Sequence, residues 1–255
     1  MRFASLGSGS RGNATLVSQG KTTLLVDCGF SARETEKRLQ RIAFDVHDLT
    51  AIIVTHEHAD HINGVRVLAR KYNLPVYTTV GTAACLAEDV RQLVNEFSCH
   101  ESFSINDIEI QPFPVPHDAR EPSQFVFTNG KFRLGLLTDV GISTPVIEEN
   151  LTLCDALLLE ANHDMAMLDS GDYPDHLKYR VSGRLGHLNN VQSSRILEKI
   201  DTSCLQHIVA MHLSEKNNSP NIVAPLFAEA LNCDQSWIGL AEQETGFDWR
   251  ELINS

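Results

Sequence analysis

The sequence predicts an α/β protein, and three observations carry that reading. Short apolar runs of strand length, such as Ala51–Val54, recur along the chain and alternate with segments whose apolar residues fall at helical spacing. Several of these runs stop abruptly in acids or histidines. The length, 255 residues, suits a single large two-sheet domain, and no repeat, low-complexity segment or linker divides it, so residues 1–255 read as one domain.

In order, Arg2–Leu6 reads as a strand, followed by a loop of glycine and small polar residues, Gly7 to Asn13. Ala14–Val17 and Lys21–Val26 are further strands, the second ending in Asp27. Successive N–H groups in such a loop can form a concave anion site, which makes Ser10, Arg11 and Asn13 candidate substrate contacts. Ser31 with Glu34 three residues on reads as a capping box opening a helix over residues 32 to 41. A second helix is expected from Ile62 to Tyr72, a strand at Val76–Thr79, a helix within Gly81 to Phe97, and strand from Phe103 to Pro114. Asn129-Gly130 predicts a hairpin between Gln124–Thr128 and Phe132–Leu137. The run ending at Glu160, a helix from Val191 to Ile200, a strand over His207–Met211, a helix from Ile222 to Leu231 and a short strand near Trp237 to Leu240 complete the chain.

Function concentrates in Thr55 to His61, where three histidines and two acids follow the Ala51–Val54 strand. Each such group costs on the order of 2–7 kcal/mol to bury without a partner, whereas imidazole and carboxylate in alternation suit a divalent transition metal. In extended backbone, residues two apart share a side, so His56 and His58 can hold one metal together. Asp60 and His61 sit where a helix begins and point elsewhere, toward a second metal.

Composition sets limits. No apolar run reaches the roughly 18–20 residues of a membrane span, so no membrane partner is expected. The N-terminus enters strand-like sequence without a signal-peptide core, and six scattered cysteines form no Cys-x-x-Cys pair, so a cytoplasmic protein with free thiols is expected. A net charge of −12 argues against broad electrostatic binding to nucleic acid, although bound cations offset part of it.

The His-x-His-x-Asp-His stretch after strand and threonine resembles the signature of the metallo-β-lactamase fold superfamily. Taken with Gly-Ser-Gly-Ser-x-Gly-Asn, Thr-Asp-x-Gly, Glu-Ala-Asn-His-Asp, Gly-His-Leu-x-Asn and His-Leu-Ser-x-x-Asn-Asn, it is similar to the YycJ/WalJ-type metallohydrolases. The resemblance implies a four-layer αββα sandwich with two metal ions (zinc or manganese, with iron as a further option). One would take His56, His58 and His117; the other would take Asp60, His61 and His212. Asp139 would bridge them with a water as nucleophile, so Asp60, Asp139 and His187 carry the chemistry. Asp27 would orient the metal loop from behind, His187 would protonate the leaving group with His163 as second choice, and Asn217 would support the site or substrate. Asn189 departs from the serine expected there, which puts one hydrogen bond in question. The implied activity is phosphodiester cleavage, as a 5′-to-3′ exonuclease on DNA, single-stranded and 5′-phosphorylated. A thioesterase, lactonase or cyclic-phosphodiesterase of this fold would share every metal ligand without needing His187 or the glycine loop. A non-catalytic nucleic-acid-binding protein would not need two complete ligand sets.

Overall fold

The computed structural model describes residues 1–254. The strands are β1 (Arg2–Gly7), β2 (Ala14–Gln19), β3 (Thr22–Val26), β4 (Ala51–Ile53), β5 (Val76–Thr79), β6 (Val94–Phe97), β7 (Phe103–Ile105), β8 (Ile108–Pro114), β9 (Ser123–Thr128), β10 (Arg133–Leu137), β11 (Ala156–Glu160), β12 (His207–Met211), β13 (Ile238–Leu240) and β14 (Phe247–Glu251). The helices are α1 (Ala32–Arg41), α2 (Ala59–Ile62), α3 (Val65–Tyr72), α4 (Val80–Ala83), α5 (Pro145–Leu151), α6 (Met165–Ser170), α7 (Asp175–Val181), α8 (Asn190–Lys199) and α9 (Pro220–Leu231).

Among the described residues the strands form two sheets, ordered β14-β1-β2-β3-β4-β5-β6 and β13-β12-β11-β10-β9-β8-β7. Strands β3 to β6 run parallel, as do β10 to β13. Parallel strands need both faces covered, and their sequences are therefore apolar throughout rather than alternating. Leu24, Ile53, Leu136 and Leu158 face the space between the sheets. Their neighbours Leu25 and Ile52 pack outward with Leu39 of α1 and Leu68 of α3. On the other side Leu157 and Leu159 pack with Leu197 of α8 and Phe227 of α9. Helix, sheet, sheet and helix thus form the four expected layers.

Several local expectations change. The helix expected from Ile62 to Tyr72 starts at Val65, because Gly64 lies where the Phe30 carbonyl leaves no room for a Cβ and its N–H bonds the Cys28 carbonyl at 2.7 Å. Within Gly81 to Phe97 only α4 and a 3₁₀ segment, Glu88–Leu93, are helical; β6 pairs in parallel with β5, and Phe97 packs its ring on Phe103 and Phe125. Phe103 to Pro114 is a hairpin, with Asn106 at a φ of 53° in the turn. Ser31 caps α1 through the Glu34 N–H, but the Glu34 carboxylate turns to Arg38 instead of closing the box. A full capping box opens α8: Asn189 accepts from the Gln192 N–H and Gln192 from the Asn189 N–H, both at 2.9 Å, so asparagine keeps the hydrogen bond placed in question. Strand β14, which the sequence reading lacked, returns the chain to the first sheet beside β1. The six cysteines are unpaired, and no helix among the described residues is long and apolar enough to cross a membrane.

Candidate metal centre

The carboxyl ends of parallel strands from both sheets converge at one edge of the sandwich, the place where open α/β sheets hold their ligands. There β3 delivers Asp27, β4 the loop with His56, His58, Asp60 and His61, β10 Asp139, β11 Glu160 and β12 His212. His117 follows β8, and His187 precedes α8. Asp27, Asp139 and His212 have φ of 61°, 56° and 53°. This left-handed conformation costs a non-glycine residue on the order of 1–3 kcal/mol and clusters at functional sites.

Hydrogen bonds fix which nitrogen of each imidazole is free to bind a cation. The Gly186 carbonyl, an acceptor only, takes the His117 Nδ1 proton at 3.1 Å and leaves Nε2 bare. The Asp118 carbonyl takes the His58 Nε2 proton at 3.2 Å and leaves Nδ1 bare. Thr55 Oγ1 donates to Asp27 and so accepts from His56 Nδ1 at 3.0 Å, which frees His56 Nε2. Asp27 Oδ2 takes the His61 Nδ1 proton at 2.7 Å, and Glu160 Oε1 that of His212 at 3.2 Å. Such outer partners fix ring orientation and raise ligand basicity.

The freed atoms fall into two sets. His56, His58 and His117 bring one ligand atom each within 4.8 Å of one another, and Asp60, His61, Asp139 and His212 do likewise. Asp139 reaches both, with Oδ2 3.2 Å from His61 Nε2 and Oδ1 4.0 Å from His117 Nε2. His58 Nδ1 and His117 Nε2, both lone-pair atoms, face each other at 3.2 Å. His56 Nε2, His212 Nε2 and Asp139 Oδ2 are buried without a hydrogen bond. Facing lone pairs and buried polar atoms without partners are arranged as a divalent cation needs them, and the donor set of imidazole and carboxylate suits one.

Electrostatics separates the sides. Burial pushes His56 and His117 down, so their rings are neutral. Burial opposes charge on His212 as well, but Asp139, Asp60 and Glu160 overcome it and hold the ring up to about 10; Asp139 and Asp27 raise His61 in the same way. Asp139 is pushed down despite burial, chiefly by His212 and His61.

Glu160 is the residue whose weight the sequence reading missed. Fully buried, it accepts at Oε1 from His187 Nδ1 (2.8 Å) and His212 Nδ1 (3.2 Å), and at Oε2 from the N–H groups of Val140 (3.0 Å) and Leu188 (3.1 Å). With both oxygens occupied it organises the site, and His187 and His212 hold its carboxyl down to about 2 against burial. Its signal in the sequence is the one shared by Asp27 and Asp139, an acid ending an apolar run.

The structure sorts the remaining candidates. A cleft of about 240 Å³ opens over the site; His58, Asp60, Asp139, His187 and His212 line it, with Ser10 at its rim. The glycine loop is not an open nest, because most of its N–H donors are already bonded within the protein. Gly9 N–H bonds Asn13 Oδ1 (2.8 Å), Arg11 N–H bonds Gln243 Oε1 (2.8 Å), Gly12 N–H bonds the Gly9 carbonyl (3.0 Å) and Asn13 N–H bonds the Asp60 carbonyl (2.8 Å). Asn13 is buried, with Nδ2 3.1 Å from His61 Nε2. The Arg11 guanidinium pairs with Glu215 (2.7 Å) and Glu244 (2.6 Å) and does not line the cleft. His163 is fully buried beside Asn162, and burial takes it down to about 4, so it lies outside the cleft as a neutral ring. Asn217 is buried too, and its carbonyl accepts from the Asp164 N–H.

Residues 22–213 match the family model described as a Beta-lactamase superfamily domain. The chain belongs to the metallo-β-lactamase superfamily, in its YycJ/WalJ branch. It is 34% identical to Exodeoxyribonuclease YycJ of Bacillus anthracis, over 95% of this chain and 92% of that one. It is 35% identical to Exodeoxyribonuclease WalJ of Streptococcus pneumoniae, over 85% of this chain and 83% of that one. The metallo-β-lactamase fold protein YhfI of Bacillus subtilis superposes with a TM-score of 0.74 at 16% identity, covering 98% of this chain and 99% of that one, which shows the shared fold. As a member of this superfamily the chain is a metal-dependent hydrolase.

Proposed function

We propose that this hydrolase is a dinuclear exonuclease that removes nucleotides from the 5′ end of single-stranded, 5′-phosphorylated DNA. The observation that carries the reading is the pairing of two ligand sets around Asp139 with His187 at the cleft, its far nitrogen anchored on Glu160. The exodeoxyribonuclease names of the relatives matched over most of the chain support the substrate class. His56, His58 and His117 would hold one cation; Asp60, His61 and His212 the other, with Asp139 between them. Zinc or manganese suits these donors. Cations bound there supply Lewis acidity and a water made nucleophilic at neutral pH.

The chain's own residues do the rest. As the P–O3′ bond breaks, His187 gives its Nε2 proton to the departing 3′-oxygen and keeps its Nδ1 proton on Glu160. Glu160 fixes the ring's direction, and through His212 it ties that ring to the cation site. Asp27 holds His61 and the Thr55 turn in place from behind. Ser10 offers its hydroxyl at the rim to a phosphate oxygen.

The test uses protein of measured metal content with manganese supplied. Single-stranded DNA bearing a 5′-phosphate and a 3′ label is incubated beside a thioester and a lactone, with His58→Ala and His187→Ala as controls. Stepwise release of mononucleotides from the 5′ end, lost in both variants, is expected. Thioester or lactone turnover with intact DNA, indifferent to His187→Ala, would falsify the reading.

A further inference from the structure

An acidic chain that cleaves a polyanion needs a local way to hold it. Arg11 is neutralised by Glu215 and Glu244, and Lys178 donates to the Asp169 carbonyl. Of the residues lining the cleft, one is a permanent cation, Arg180, and one is an aromatic ring other than imidazole, Tyr173. Both come from the segment between β11 and α8, Tyr173 just before α7 and Arg180 at its end.

That segment is a built wall. Cβ atoms added at Gly186 would collide with the Arg180 and Val181 carbonyls, and one at Gly141 with the Arg184 carbonyl. The His187 N–H bonds the Val181 carbonyl at 2.8 Å, so the end of α7 and the candidate acid are held in one frame. At the near end, a Cβ at Gly171 would stand 2.7 Å from Asn217 Oδ1. Arg180 Nε bonds Asp118 Oδ2 at 2.7 Å, while the Asp118 carbonyl accepts from His58. The Arg180 Nη1 and Nη2 atoms carry no hydrogen bond among the described residues. Tyr173 is half-buried, with the Lys216 ammonium 5.7 Å from its ring centre.

We infer that this wall is the strand-binding subsite for the nuclease reading above, on which the inference rests: Tyr173 stacks a base next to the scissile linkage, and Arg180 holds an adjacent phosphate. Stacking is indifferent to base identity and guanidinium–phosphate pairing to sequence, so the subsite reads single-stranded polynucleotide as a class. Lys216 adds charge behind the ring.

The test measures binding of phosphorothioate-linked, 5′-phosphorylated oligothymidylate to the manganese-loaded protein, and cleavage of the natural linkage in parallel. The comparison strand carries abasic sugars at its first three positions. Tyr173→Leu is expected to weaken binding of the normal strand on the order of 5- to 150-fold, leave the abasic strand unchanged, and be rescued by Tyr173→Phe. Arg180→Ala is expected to lower the slope of log affinity against log salt by about 0.7, the value for one phosphate on a single strand, with Arg180→Lys retaining it. Equal losses on normal and abasic strands, or an unchanged salt slope, overturn the subsite while wild-type cleavage leaves the nuclease reading standing. Wild-type protein that neither binds nor cleaves DNA, yet hydrolyses bis(p-nitrophenyl) phosphate, overturns both.

Discussion

At the scale of single residues, the site depends on carboxylates that direct rings. Asp27 accepts three hydrogen bonds, from the Thr55 N–H, the Thr55 hydroxyl and His61 Nδ1. Asp27→Asn turns one acceptor into a donor facing donors, and metal affinity should fall on the order of 10- to 100-fold, as read by competition with a chromophoric chelator. His187→Ala removes only the acid: kcat should drop about 100- to 10,000-fold while metal content by mass spectrometry stays that of the parent. His56, His58 and His61 were legible because an apolar strand ending in such residues has few other uses, whereas His117, His187, His212 and Asp139 were named through the family resemblance. Glu160 was visible only as an acid ending an apolar run, since its grip on His212 depends on β11 and β12 lying side by side and its grip on His187 on where the segment before α8 is placed. Arg11 misled because Glu215 and Glu244, which neutralise it, are more than 200 positions away in sequence.

At the scale of elements, two boxes of local partners turn out in opposite ways. Asn189 and Gln192 close theirs within one helical turn, where the sequence puts a hydrogen bond in question, while Glu34 turns to Arg38 and leaves the box expected at Ser31 open. Asn189→Ala should destabilise the protein by about 0.5–2 kcal/mol in urea unfolding, and Asn189→Ser by far less. Just past α1, Ala43 sits at a φ of 54° with its N–H on the Gln40 carbonyl. Glycine takes that conformation without the Cβ penalty of roughly 1–2 kcal/mol. Ala43→Gly should therefore raise the unfolding midpoint by an amount worth a few tenths of a kcal/mol or more, the entropy lost by glycine setting the remainder. Residues 81 to 97 depart from the sequence reading because their apolar positions fit a helix, but β5 offers a free edge and Phe103 and Phe125 offer rings, none of which a helical spacing registers.

At the scale of the molecule, charge and metal are linked through protons. In the metal-free protein His61 is raised and His212 sits up to about 10, so at pH 7 both hold protons that a cation must displace. Affinity on that side should rise with pH through the neutral range, with protons released on uptake. Calorimetry in buffers of different ionisation enthalpy measures the release, and an enthalpy independent of buffer would contradict the charged histidines. The His56 and His117 rings, pushed down by burial, add little to it. The two candidate sets that use the Thr55 to His61 loop draw on both sheets: His56 and His58 come from the first and His117 from the second, Asp60 and His61 from the first and His212 from the second. The first sheet is itself finished only by β14, at Phe247–Glu251. During synthesis, therefore, neither of these candidate sets is complete until strands of the second sheet have emerged and docked, and β1 keeps an open edge until β14 has been made. Half-made copies carry the Thr55 to His61 loop without the groups that complete either set.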